Sequence, residues 1–216
     1  MGIKAVIFDL DGVIVSTDNC HYEAWKRLAD DESIDFDRNI NERLRGVSRM
    51  ESLEIVLEKS AGTYTEEEKL LLAERKNNYY KKSIELLNPD SILPGVMRVL
   101  SGLKEKGIRI AIGSSSKNSP IILRQIGLGD YFDTTADGND IEKSKPDPEV
   151  FLLAASRLGI GPSECLVVED ADAGVEAALA GGMHVLAVGS ASENKKATIC
   201  AKDLNEISLE FMLEIN

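Results

Sequence analysis

The chain has 216 residues, 43 % of them hydrophobic and 29 % charged, with 37 Asp and Glu against 25 Lys and Arg for a formal net charge of −12. Length and composition suit a globular protein of one large domain, or a core carrying a smaller one. The acidic excess argues against general binding to nucleic acid or to an anionic membrane, because both need a basic footprint. Cys20, Cys165 and Cys200 are scattered and odd in number, so there is no disulfide framework and a reducing compartment is the simpler reading. No apolar run reaches the length of a membrane span. The short N-terminal apolar run does not read as a signal peptide, and Val6 breaks the myristoylation pattern that Met1-Gly2 opens. A cytoplasmic location is expected.

In chain order, the first expected element is a strand at 5–8, the apolar run Ala5-Val6-Ile7-Phe8. From about 16 to 88 the sequence is polar and helical, with helices expected at 22–29, 51–59 and 66–84 and no convincing strand. A helix follows at 95–106, with Val96, Val99, Leu100 and Leu103 on one face and Gly107 as its stop. Next come a strand at 108–112 and a helix opened by Ser119-Pro120, with Ser119 as cap. Asp147-Pro148 opens another helix, which carries Phe151, Ala154, Ala155 and Leu158 and ends at Gly159. A strand at 165–168, a helix from Asp172 to Gly181-Gly182 and a strand at 185–188 complete the pattern. Short β-branched runs alternating with helices predict an α/β fold, a doubly wound parallel sheet. The helical stretch interrupts that rhythm and reads as an inserted α-helical cap domain at 16–88, with joints at 15–17 and 88–94. The core domain is then 1–15 together with 89–216.

In an open parallel sheet, ligands bind beyond the carboxyl ends of the strands. Asp9-Leu10-Asp11-Gly12 follows the first strand, Ser114 to Asn118 the second, and Glu169-Asp170 the strand at 165–168, while Lys145 precedes the Asp147-Pro148 helix. The bland reading of the first cluster is an acidic strand-end turn. Taken together, the clusters bring carboxylates, hydroxyls and a lysine to one rim. Asp9, Asp170 and Glu169 suit Mg²⁺, which favours carboxylates plus substrate phosphate. Ser114 and Lys145 can hold a phosphoryl group, Asp9 can accept it as a nucleophile, and Asp11 can move a proton.

In their order and spacing, Asp9-Leu10-Asp11-Gly12, Ser114, Lys145-Pro146 and Glu169-Asp170 resemble the four motifs of the haloacid dehalogenase superfamily, and the resemblance spans the whole chain. Its Rossmann-like core and inserted helical cap match the expected architecture. The Asp-x-Asp form points to phosphoryl transfer rather than dehalogenation. A narrower resemblance, to the β-phosphoglucomutase family, rests on Phe8 to Ile14, Gly46-Val47-Ser48-Arg49, Arg75-Lys76-Asn77, Ser116-Lys117-Asn118, Ser144-Lys145-Pro146, and His21 with Trp25. It implies an isomerase that interconverts β-D-glucose 1-phosphate and glucose 6-phosphate through a bound β-glucose 1,6-bisphosphate.

Residue by residue, the resemblance makes Asp9 the nucleophile and Asp11 the general acid and base. Mg²⁺ is held by Asp9, the main-chain carbonyl of Asp11, Glu169 and Asp170. Ser114, Ser115 and Lys145 cradle the transferring phosphate, and Arg49, Ser116, Lys117 and Asn118 hold the other one. Thr17 sits at the cap hinge, and His21 and Lys76 lie close to the sugar or to Asp11. Trp25, Gly46, Val47, Ser48 and Ser52 complete the substrate set. The chain departs from the family at Arg45, where Lys is often seen, and at Gly113 and Ser115, where Ala is common.

Several of these residues also have ordinary readings: a helix-surface position for His21, helix packing for Trp25, a solvated helical face for Lys76. His184 is expected at a strand start, and the cysteines as structural. Two histidines and scattered thiols leave no basis for a zinc site. Two alternatives to the isomerase stand. One is a sugar-phosphate phosphatase built on the same four motifs, which the cap residues around Arg49 and Lys76 would distinguish. The other is a phosphosugar-binding regulator without turnover, which would need neither Asp9 nor Asp11. The expected partners are small sugar phosphates, and the expected state is a monomer.

Overall fold

The computed structural model describes residues 2–45 and 47–215. Gly46, expected to contact the sugar, lies outside the described residues. Among them, six strands form one parallel sheet: β1 (Ala5–Phe8), β2 (Arg109–Gly113), β3 (Thr134–Ala136), β4 (Cys165–Glu169), β5 (His184–Ala187) and β6 (Ile199–Cys200). Their order is β3-β2-β1-β4-β5-β6. β1 lies between β2 and β4, with Ala5 level with Arg109 and Cys165 and Phe8 level with Ile112 and Val168. The strand order reverses at the β1–β4 pair, which opens a crevice at their carboxyl ends.

Between β1 and β2 the chain forms α1 (Asp18–Asp31), α2 (Arg38–Glu42), α3 (Arg49–Leu57), α4 (Glu66–Ile84) and, back on the sheet, α5 (Val96–Glu105). The rest are α6 (Ser119–Gln125), α7 (Glu149–Leu158), α8 (Asp172–Ala180) and the short α9 (Leu209–Leu213). Side chains alternate across a strand, so the sheet has two apolar faces. Val6, Phe8, Ile110, Ile112, Leu166 and Val168 pack with Val96, Val99, Leu100 and Leu103 of α5 and with Ile122 of α6. Ala5, Ile7, Ala111, Cys165 and Val167 face Val150, Phe151 and Ala154 of α7 and Val175 of α8. This two-sided burial is why β1 and β4 read as continuous apolar runs.

The inserted helices have a core of their own in Trp25, Leu28, Phe36, Leu53, Val56 and Leu72. Capping boxes start α3, at Ser48 with Glu51, and α4, at Thr65 with Glu68. The foot of α4 belongs to the main core, where Tyr80 and Ile84 are buried with Ile14 and Val15. Val15 bridges Ile92 in antiparallel fashion, and the Leu93 amide donates to the Ile14 carbonyl at 2.9 Å. The chain therefore leaves the core and returns to it along two adjacent connections.

Some details differ from the sequence reading. β3 and β6 are additional edge strands of three and two residues, too short to show a pattern. α2 is five mostly polar residues whose start is marked by Asp37 accepting from the Ile40 amide. The cap of α6 is Asn118, not Ser119; the Ser119 hydroxyl instead donates to the Ser116 carbonyl at 2.8 Å. The last long strand runs His184–Ala187 rather than 185–188, and His184 stands at its start as expected, in register with Leu166.

Candidate active site

At the carboxyl ends of β1 and β4 the backbone delivers Asp9, Glu169 and Asp170 into one buried space, with carboxylate oxygens within 4.8 Å of one another. Lys145 reaches them from the loop after β3, its Nζ 2.5 Å from Asp9 Oδ1 and 2.6 Å from Glu169 Oε1. The other Glu169 oxygen accepts from the Ala171 amide at 2.9 Å. The Lys145–Pro146 peptide is cis. Two glycines make room for the cluster. A Cβ on Gly12, whose φ is +85°, would run into the Asp170 carboxylate, and one on Gly174 would run into Glu169.

One lysine among three buried carboxylates leaves negative charge uncompensated. Burial raises the Asp9 carboxyl well above the usual carboxylate range, with Lys145 opposing the rise. It pushes Asp170 up to about 8, with Glu169 adding to the effect. A donor set made only of oxygen, with surplus negative charge and glycines packed behind it, fits a hard divalent cation.

Asp11, two residues beyond Asp9, has a different setting. Its Oδ1 accepts from the Thr17 hydroxyl and lies 3.5 Å from the Tyr80 hydroxyl. Burial raises its pKa and the Thr17 bond opposes that rise. Its carboxylate is not one of the three clustered groups. Thr17 is wholly buried, spends its hydroxyl on Asp11 and does not line the cleft. Near it, Lys76 donates to His21 Nδ1 at 3.0 Å, and its ammonium lies 4.8 Å from the Trp25 ring centre. Burial, with the Arg49 charge adding to it, brings Lys76 down to about 7. Burial first, and Lys76 and Arg49 after it, lower His21 well below its ordinary value, so its imidazole is neutral.

These groups line one cleft of about 760 Å³ between the sheet end and the inserted helices. It brings together Asp9, Asp11, His21, Trp25, Val47, Ser48, Arg49, Ser52, Lys76, Ser114, Ser115, Ser116, Lys117, Asn118, Lys145, Glu169 and Asp170. Ser114 is buried and accepts from the Ser116 amide at 3.1 Å. The Ser115 hydroxyl is buried without a partner. Asn118 Nδ2 donates to Asn77 Oδ1 on α4 at 2.9 Å, joining the two sides of the cleft. Ser48 uses its hydroxyl to cap α3, and Trp25 is buried in the helical core while touching the cleft.

The sequence reading assigns no role to Tyr80, Asp18, Asn41 or Asn77, which also line the cleft. Asn41 is buried with its side-chain oxygen unpartnered. All four sit on helices, and only the packing of α1, α2 and α4 shows which side faces inward. For Asn77 alone there is a signal in the sequence, its place in the Arg75-Lys76-Asn77 stretch.

A parallel sheet with a carboxylate pair after its first strand, a lysine facing it and a helical insertion above defines a phosphoryl-transfer enzyme of the haloacid dehalogenase type. The chain belongs to that family: residues 3–182 match the model described as haloacid dehalogenase-like hydrolase. Within it, the chain is 44 % identical over 214 residues to β-phosphoglucomutase of Bacillus subtilis (strain 168), covering 98 % of this chain and 95 % of that protein. It also resembles the crystal structure of β-phosphoglucomutase from Clostridium difficile, with a TM-score of 0.91 and 41 % identity over 97 % of this chain and 95 % of the other. A phosphorylated carbohydrates phosphatase of Thermotoga maritima is 34 % identical, covering 84 % of this chain and 83 % of that protein.

Proposed function

We propose that this chain is an isomerase that interconverts β-D-glucose 1-phosphate and glucose 6-phosphate, with β-glucose 1,6-bisphosphate as primer and intermediate. The observation that carries the reading is that one cleft is lined both by Asp9, Ser114 and Lys145 and by Arg49, Lys117 and Asn118. In this reading the first set serves the reacting phosphate and the second set a further phosphate, whereas a phosphatase acting on one phosphate needs only the first set.

In this reading the Asp9 carboxylate attacks the phosphorus of a bound bisphosphate, and the P–O bond to the sugar breaks. Asp11 gives its proton to the departing sugar oxygen. Glucose 6-phosphate leaves and β-glucose 1-phosphate enters with its 6-hydroxyl toward Asp9; Asp11 takes the proton of that hydroxyl, and its oxygen receives the phosphoryl group from Asp9, regenerating the bisphosphate. Ser114, Ser115 and Lys145 hold the transferring oxygens, and Ser116, Lys117, Asn118 and Arg49 hold the other phosphate in either orientation. A divalent cation, proposed as Mg²⁺ held by Asp9, Glu169, Asp170 and the Asp11 carbonyl, supplies charge compensation when bound. Val47, Ser48, Ser52, His21, Trp25 and Lys76 shape the sugar site and help keep water from the aspartyl-phosphate.

The same reading divides the chain into a core of 1–15 with 89–216 and a cap of 16–88, acting as a monomer in the cytoplasm. No helix among the described residues is long and apolar enough to cross a membrane. The test supplies β-glucose 1-phosphate, a trace of the bisphosphate and Mg²⁺, and follows glucose 6-phosphate against free phosphate. Isomer with little phosphate supports the reading; phosphate without isomer turns it into the phosphatase.

A further inference from the structure

Arg45 is held by a partner set that suits a guanidinium and not an ammonium. Its Nη1 and Nη2 donate to Asp18 Oδ1 and Oδ2 at 3.0 and 2.6 Å, and its Nε donates to Glu42 Oε2 at 2.8 Å. Nη1 also lies 3.7 Å from Asp170 Oδ2, so the group spans from the inserted helices to the acidic cluster. With Asp18 on the Nη1/Nη2 edge and Glu42 on Nε, the guanidinium has no free two-nitrogen edge for a phosphate. Arg49, four residues on, makes no ion pair among the described residues and faces the cleft. One arginine of this segment is tied down and the other is free to bind.

Asp18 is the first residue of α1, directly after Thr17, whose hydroxyl holds Asp11. The Asp18–Arg45 fork therefore ties the segment that carries Arg49 to the same turn that positions the acid–base carboxylate. We propose that Asp18 is a positioning residue for the mutase reaction: through Arg45 it fixes where Arg49 meets the non-transferring phosphate. The proposal rests on the mutase reading and adds to it a residue with no direct substrate contact.

The test is a double-mutant cycle on Asp18→Asn and Arg45→Ala, with Asp18→Glu as the conservative variant and thermal melting to establish that each is folded. Kinetics are measured with β-glucose 1-phosphate and, separately, with acetyl phosphate as a small phosphoryl donor. Asp18→Asn raises KM for the sugar phosphate roughly tenfold, the scale of one lost charged contact, while kcat/KM for acetyl phosphate changes by less than about twofold. Asp18→Glu recovers part of the KM effect. Because Asp18 works through Arg45, adding Asp18→Asn to Arg45→Ala has little further effect. Additive effects, an unchanged KM or an equal loss with acetyl phosphate each overturn the proposal. If the wild type makes no glucose 6-phosphate, the mutase reading fails first, so the two failures are distinguishable.

Discussion

Lys145 and Asp9 are 136 residues apart in the chain, and the lysine Nζ stands 2.5 Å from Asp9 Oδ1 with both groups buried. The same ammonium lies 2.6 Å from Glu169 Oε1. The loop after β3 thus supplies the one side-chain cation within hydrogen-bonding reach of this cluster among the described residues. Removing one partner of a buried ion pair leaves the other uncompensated, at a cost of about 3 kcal/mol or more. Lys145→Met is expected to lower stability by that order in chelator, with the loss shrinking when Mg²⁺ is added. Denaturant unfolding with and without the metal measures both. Turnover falls by roughly a hundredfold or more, as for loss of a donor aimed at developing charge.

The carboxylate cluster should report a divalent ion through stability alone. A ligand that binds only the folded state at a hundred times its Kd adds about 2.7 kcal/mol. Wild-type protein is expected to melt higher in millimolar Mg²⁺ than in EDTA. Asp170→Ala should melt at the same temperature in both, and an undiminished Mg²⁺ shift in that variant would remove Asp170 from the metal site.

Lys76 gives the chain a specific pH signature. Its folded-state pKa of about 7, depressed by burial and by Arg49, lies below the value of about 10.4 expected when unfolded. Between these values the unfolded chain holds a proton that the folded chain lacks, so this group's contribution to stability falls as pH drops from about 10 toward 7 and is flat below. Lys76→Met should be more stable than wild type near pH 7, and the difference should close toward pH 10. An anionic substrate favours the charged lysine, so binding of glucose 6-phosphate at pH 8 should take up protons. Calorimetry in buffers of different ionisation enthalpy measures that uptake, and Lys76→Met should abolish most of it.

Arg49 separates the two half-functions of the cleft. Arg49→Ala is expected to reduce mutase kcat/KM by about a hundredfold, the scale of a lost charge-assisted phosphate contact. Hydrolysis of acetyl phosphate, which has no second phosphate, should fall much less. Equal losses would mean that Arg49 serves the reacting end.

Legibility in the sequence follows from how each element is stabilised. β1 and β4 are buried on both faces, so their apolar runs announce them. Asp9 and Glu169-Asp170 are legible because acidic groups directly after such runs fall at the carboxyl edge of a parallel sheet, where ligands bind. Thr134 and Thr135 of β3 are only half-buried at the sheet edge, and nothing in their composition separates them from a loop. Without that strand, Lys145 reads as a loop residue on the same rim, and nothing in the sequence shows that its ammonium reaches both Asp9 and Glu169. Tyr80 looks like any aromatic on an amphipathic helix. Its place near Asp11 depends on how the foot of α4 seats against Ile14 and Val15, which is a tertiary fact.

The paired connections at Val15 and Ile92 have an evolutionary consequence. An insert whose two ends lie side by side imposes no length on the scaffold it leaves. Helices can be exchanged, lengthened or lost above the sheet without displacing Asp9, Lys145 or Glu169. Substrate preference can therefore drift with the inserted helices as long as Thr17 and Tyr80 keep their places beside Asp11.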